Sequence, residues 1–377
     1  MRNSEGRIES LDGLRAVSIT LVIFSHLIGV KGFIVPERVG RVFELGELGV
    51  RVFFVISGFL ITSILLKELE DHRTINLRRF YFRRTLRIFP PYYLFILSIV
   101  IIQAAGLISL NQGDLPHALT YTSNYHLQRS WYVGHTWSLA VEEQFYVVWP
   151  AVLILFGKRR GLLAALAFVL IAPLIRIGIW EALPGVRAGI GQTFETAGDA
   201  LAIGCVLAGV RSRLHASQLY LRLLDSKLIL FAPLAVLLGN ALHNHPTVHY
   251  LFGYSLMNVG IALSIDWCVT YSRGRVGKFL NCRPVVFIGL MSYSIYLWQQ
   301  IFVDRYSQSL LAQFPINLGM IAVTSLLSYY ICEQPSFKLR KWLERRLFPR
   351  PKSASFEFID ASTATVSPRP AMPNSPI

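Results

Sequence analysis

The chain has 377 residues, 53% of them hydrophobic and only 16% charged, with a mean hydropathy of +0.46. Soluble domains carry about a quarter charged residues, so this composition excludes an ordinary globular protein of the aqueous phase. The net charge of +15 raises nucleic acid as a partner, and the placement of that charge along the chain removes the need for one.

Apolar runs near the length that spans a bilayer, about 20 residues, recur near 14–35, 44–66, 91–110, 138–156, 162–180, 197–210, 228–242, 251–270, 285–303 and 315–332. They predict an all-α fold: a polytopic integral membrane helical bundle of about ten transmembrane helices. Alternate segments, starting with the N-terminus (1–12, 67–90, 157–161, 211–227, 271–284 and everything after 333), hold 28 of the 37 Lys and Arg. The intervening loops hold five, Arg38, Arg41, Arg129, Arg187 and Arg305. That asymmetry follows the positive-inside rule and predicts both termini in the cytoplasm. Lipid and topology thus account for the basicity, and no nucleic-acid partner is expected.

The first span, LDGLRAVSITLVIFSHLIGV, holds Arg15 and His26 eleven positions apart. Eleven helical steps make three turns plus roughly 20°, so both side chains share one face about 16 Å apart along the axis. A basic pair on a lipid-spanning helix is costly and marks a functional candidate. No signal peptide is expected, because this run is long and lacks an A-x-A-like cleavage site. After the second span, NLRRFYFRRTLRIFPPYYLF reads as a short cytoplasmic stretch entering the third span at Pro90-Pro91. Its arginines could be topology anchors at the lipid headgroups, but Arg84 and Arg87 stand at i, i+3 and can grip one phosphate-bearing anion.

At the start of the fourth span, GHTWSLAVEEQFYVVWP crowds His135, Trp137, Ser138, Glu142, Glu143, Gln144 and Tyr146 ahead of an apolar run. An interfacial aromatic belt with solvated acids is one reading. Two adjacent carboxylates that cannot both face lipid favour a cavity instead. Arg51, Arg176 and Asp199 are expected to make structural ion pairs, with Asp199 also a candidate helix cap. His243, His245 and His249 read as an exposed polar turn in preference to a metal site. Cys205, Cys268, Cys282 and Cys332 stand singly, so no disulfide framework or metal centre is expected. Tyr293, Tyr296 and Trp298 are expected to pack. A membrane domain over 1–345 is then followed by a disordered cytoplasmic tail over 346–377, rich in Pro, Ser, Thr and Ala.

The ordered motifs LDGLRAVSITLVIFSHL, GVRVFFVISGFLIT, RRTLRIFPPYYL, TWSLAVEEQFYVVWP, SYSIYLW and EQP resemble the bacterial membrane acyltransferase-3 family, from about residue 8 to 340. Members of that family move acetyl and other acyl groups onto sugars of lipopolysaccharide, peptidoglycan, exopolysaccharide and other glycans. The resemblance implies a multi-pass protein of the bacterial inner (cytoplasmic) membrane. Arg15 and His26 match the family's Arg-x10-His element and Arg84 and Arg87 its Arg-x-x-Arg. Glu143 matches the acid of its tryptophan-serine motif, and Glu333-Gln334-Pro335 its late Glu-x-Pro. The chain departs from many relatives at Gln299, where they place a histidine, and no fused hydrolase-like domain is expected in it.

From these readings the chain is expected to be an O-acyltransferase. Its donor is acyl-CoA, most simply acetyl-CoA, taken as a substrate with no permanently bound cofactor. Its acceptor is a hydroxyl of a glycan or glycolipid. His26 is the expected general base, or alternatively the site of a transient acyl intermediate. Glu143 is expected to orient its imidazole if the first and fourth spans are neighbours, and Arg15 to face the donor. Arg84 and Arg87 are expected to hold the rest of the CoA, and Trp137, Ser138, Glu142 and Glu333 to be supporting residues of the site. A transporter or flippase of a lipid-linked glycan is the alternative, since buried charges suit a substrate pathway equally well. The sequence does not choose among acceptor sugars, acyl groups or oligomeric states.

Overall fold

The computed structural model describes residues 8–37 and 45–348. Residues 349–377, most of the expected tail, lie outside them. All the regular structure among the described residues is helical. The bundle is built from α1 (Glu9–Leu27), α2 (Leu45–His72), α3 (Leu77–Ala104), α4 (Thr136–Ala182), α5 (Asp199–Ala216), α6 (Phe231–Ala241), α7 (Tyr254–Thr270), α8 (Arg283–Phe302), α9 (Ile316–Ser328) and α10 (Gln334–Leu347). Residues 346 and 347 therefore belong to a helix, not to a tail. Eight helical segments among the described residues are long and apolar enough to cross a membrane.

Local chemistry explains where the elements depart from the expected runs. α1 stops at Leu27, well short of 35, because Gly29 turns the chain at φ 87°, a conformation that suits glycine. α3 begins earlier than expected: the Asn76 side chain accepts from the Arg79 backbone N–H, and the helix then runs unbroken through Pro90 and Pro91. The arginine cluster is thus the first half of a continuous helix and not a separate stretch. α4 has 47 residues, about 70 Å if straight and more than twice the hydrocarbon thickness. Gly157, at φ 72° and ψ 171°, bends it into two arms matching the runs expected near 138–156 and 162–180. The run expected at 197–210 is α5, which carries Asp199, Arg211 and Arg213 and falls outside the eight apolar segments.

α1 packs between α2 and α8, α2 against α5, α6 against α7, α8 against α9, and α10 folds back onto α3. In lipid, helices associate by close backbone approach at small residues. A Cβ at Gly58 would stand 1.9 Å from the Leu201 carbonyl oxygen, so α2 and α5 meet backbone to backbone. The α1–α8 crossing is similar, with Gly289 against the Asp12 carbonyl. Large apolar side chains such as Leu155 (75% exposed), Leu170 (65%) and Ile101 (59%) point away from the bundle, as a lipid-facing belt requires.

The ion pairs expected of Arg51, Arg176 and Asp199 form one buried cluster. Arg176 Nη1 lies 2.8 Å from Asp199 Oδ2, and Arg51 lies 3.7 Å from Asp199 Oδ1 and 3.2 Å from Glu47. The Asp199 carboxylate caps no helix; both oxygens face arginines. His249 departs from the expected exposed turn: it is buried, with Nδ1 3.1 Å from the Gly239 carbonyl oxygen and its ring against Tyr254. The four cysteines are unpaired.

Candidate active site

Two cavities open into the bundle, and the expected site residues divide between them. The first, about 240 Å³, sits toward the arginine-rich ends of α3 and α10. Arg15 of α1, Arg84 and Arg87 of α3, and Arg340 of α10 line it together with Glu142, Glu143 and Glu333. α4 supplies its acids by periodicity: Ser138, Glu142 and Tyr146 fall at i, i+4 and i+8 and share one face. Glu142 Oε1 accepts from both Ser57 Oγ of α2 and Tyr146 OH. The Arg84 guanidinium lies over the Tyr146 ring, 3.7 Å from its centroid, and its Nε has no hydrogen-bond partner among the described residues. Glu333 sits in the wide turn 329–333 that joins α9 to α10 and accepts from Ser294 Oγ of α8.

The second cavity, about 470 Å³, lies toward the opposite loops, where His26, Trp131, Trp137, His135, Arg129 and Arg305 line it. The Trp131 ring meets His26 edge-on at 5.5 Å and its Nε1–H donates to the Gln300 carbonyl at 2.8 Å. His26 Nδ1 lies 2.8 Å from Gln299 Oε1. An amide oxygen only accepts, so this contact puts the ring proton on Nδ1 and leaves Nε2 as the basic nitrogen.

Arg15 and His26 therefore do share one helix, each serving a different cavity. The expected contact between Glu143 and His26 is not formed. Glu143 lines the first cavity, α1 packs chiefly on α2 and α8 and not on α4, and the imidazole's partner is Gln299. Ser138, Glu142 and Glu333 line the arginine cavity, whereas Trp137 lines the second. Two side chains, Val50 and Tyr296, line both cavities. Tyr296 OH shares a hydrogen bond of 2.6 Å with Ser138 Oγ and donates to the His135 carbonyl at 3.1 Å. The sequence reading left Tyr296 among packing residues; a tyrosine three residues from Gln299 on the same helix was the available signal.

Guanidinium forks able to grip an oxyanion on one side, and an imidazole with a free basic nitrogen on the other, suit transfer chemistry between two substrates. An acyltransferase domain model matches residues 8–333, and the chain belongs to this acyltransferase-3 family. It is similar to the peptidoglycan O-acetyltransferase OatA of Listeria monocytogenes, 29% identical over 326 residues that cover 79% of this chain and 49% of that protein. It is also similar to YrhL of Bacillus subtilis, provisionally named a peptidoglycan O-acetyltransferase, 28% identical over 379 residues covering 90% of this chain and 57% of that protein. The chain spans about half the length of the curated relatives it matches. No solved structure matches it.

Proposed function

We propose that the protein moves an acyl group, most simply acetyl, from acyl-CoA in the cytoplasm to a hydroxyl of a glycan or glycolipid on the other side of the membrane. The observation that carries this reading is the back-to-back pair of cavities, one rich in arginine and one holding His26, meeting at Val50 and Tyr296. The CoA phosphates would sit among Arg84, Arg87 and Arg15, because the arginine fork matches phosphate oxygens bidentately and never loses its charge. His26 Nε2 would take the proton of the acceptor hydroxyl as its oxygen attacks the acyl carbonyl. The C–S bond then breaks, and the proton is passed on as CoA leaves as its thiol. Gln299 would hold the imidazole in the tautomer this step needs.

Radiolabelled acetyl-CoA incubated with membranes and cell-envelope glycans tests the reading: label should appear in the glycan. Glycan movement across the bilayer without label transfer would instead indicate a carrier. Arg84→Ala and Arg87→Ala should each weaken acetyl-CoA binding by about ten-fold or more, the cost of one charge-assisted hydrogen bond. Isothermal titration of the purified protein measures this, and unchanged affinity would return both residues to the role of topology anchors. Gln299→Leu should slow turnover by about ten- to a hundred-fold through a misoriented imidazole. The apparent affinity for acetyl-CoA should stay the same, and a variant with full turnover would show that the tautomer is set elsewhere.

A further inference from the structure

Two cations line the second cavity, and their settings differ. Arg129 is held by the protein: Nη1 donates to the carbonyls of Ser123 and His126 at 2.6 and 2.8 Å, and Nη2 donates to Gln192. Arg305 makes no hydrogen bond or ion pair with the described residues. The adjacent Asp304 forms no ion pair with it: its Oδ2 accepts from Tyr132 OH and its Oδ1 from the Tyr306 backbone N–H, both at 3.0 Å. The one carboxylate among the lining residues, Glu47, is paired with Arg51 at 3.2 Å. The Arg305 side chain runs over Gly29, 3.8 Å from where a Cβ would stand, just past the end of the helix that carries His26.

Cations are scarce at this end of the protein. Its loops hold only Lys31, Arg38, Arg41, Arg129, Arg187 and Arg305, as expected for segments that must cross the bilayer. Arg38 and Arg41 lie outside the described residues. Arg187 is committed to Trp180, donating to its carbonyl at 2.6 Å and lying 4.4 Å from its ring centroid. Arg305 therefore stands with open donors on the wall of the cavity that also holds a candidate base. A guanidinium in that position has the geometry to take a carboxylate or phosphate in a two-point grip. Trp131 and Trp137 offer aromatic walls to the apolar face of a sugar ring. At about 470 Å³ the cavity falls within the usual range for small-ligand sites.

We infer that Arg305 anchors an oxyanion on the acceptor, so that the second cavity selects an acidic glycan over a neutral one. The inference rests on the reading of this cavity as the acceptor site. A carboxylate-bearing sugar and a phosphate-bearing one present the same chemistry, and the test separates them.

The full chain in phosphatidylcholine nanodiscs is titrated with three probes: trigalacturonate, its carboxyl-reduced neutral counterpart, and the neutral trisaccharide carrying a terminal phosphate monoester. At least one charged probe should bind about ten-fold tighter than the neutral one. That preference should fall with added salt, and the charged probe that shows it identifies the anion. Arg305→Ala should abolish the preference and Arg305→Glu reverse it, with neutral-probe affinity unchanged, while Arg305→Lys should retain part of it. Equal binding of charged and neutral probes by the native protein, a preference that survives Arg305→Ala, or no binding of any probe overturns the inference. Binding needs no acyl donor. A charge preference without acyl transfer would count against the proposed function alone, and transfer without a charge preference against Arg305 alone.

Discussion

Replacing His26 with alanine is expected to lower acyl transfer by roughly 10²- to 10⁴-fold, the range that positioned general bases contribute. A sugar hydroxyl is a weak nucleophile until its proton has somewhere to go, and imidazole is suited to that at neutral pH. The fold should survive the change. His26 is only partly buried, and its one side-chain hydrogen bond is to Gln299, so removing the ring strips little from the core. Label transfer from acetyl-CoA, read beside the thermal midpoint of the purified variant, checks both halves. A variant with native turnover would remove the imidazole from the reaction.

The second large effect concerns stability. Asp199→Ala should destabilise the protein by about 3–5 kcal/mol, because deleting one partner of a buried pair leaves uncompensated charge behind. Here the loss is shared by two cations: among the described residues Arg176, fully buried, has Asp199 as its only carboxylate within ion-pair distance, and Arg51 would keep Glu47 alone. The Arg51 and Arg176 guanidiniums also face the Tyr254 ring, at 3.5 and 4.9 Å from its centroid, so both would be left against an aromatic wall. Thermal unfolding in detergent, followed by fluorescence, measures the change. An unaltered midpoint would show that the cluster contributes nothing net. Glu47 of this cluster also lines the cavity that holds His26, so acyl transfer per folded molecule is read beside the midpoint.

Much of the architecture could be read from hydropathy alone, since bilayer thickness dictates how long an apolar helix must be. The two arms of α4 were visible as separate runs because Gly157 and its basic neighbours interrupt them. Where the reading slipped, helix-terminal chemistry decided: Gly29 cut α1 short, and the Asn76 cap started α3 early and carried it through two prolines. The arginine side of the site was legible as well, because Arg84 and Arg87 are neighbours on one helix and Glu142 lies on a fixed face of another. Contacts between distant parts of the chain were not. Glu143 and Gln299 stand 117 and 273 residues from His26, and no local pattern says which of them meets the imidazole. The departure from the family pattern at Gln299 was noticed in the sequence, but only the packing of α8 on α1 reveals that it falls on the ring itself.

The wall shared at Val50 and Tyr296 has a further meaning for a multi-pass membrane protein. Both cavities are lined by the same two side chains, so on the proposed reading the phenol that links Ser138 to the His135 carbonyl would also be the barrier to protons and ions. A catalyst of the proposed kind would have to hand a small group through its own wall while that wall stays an insulator.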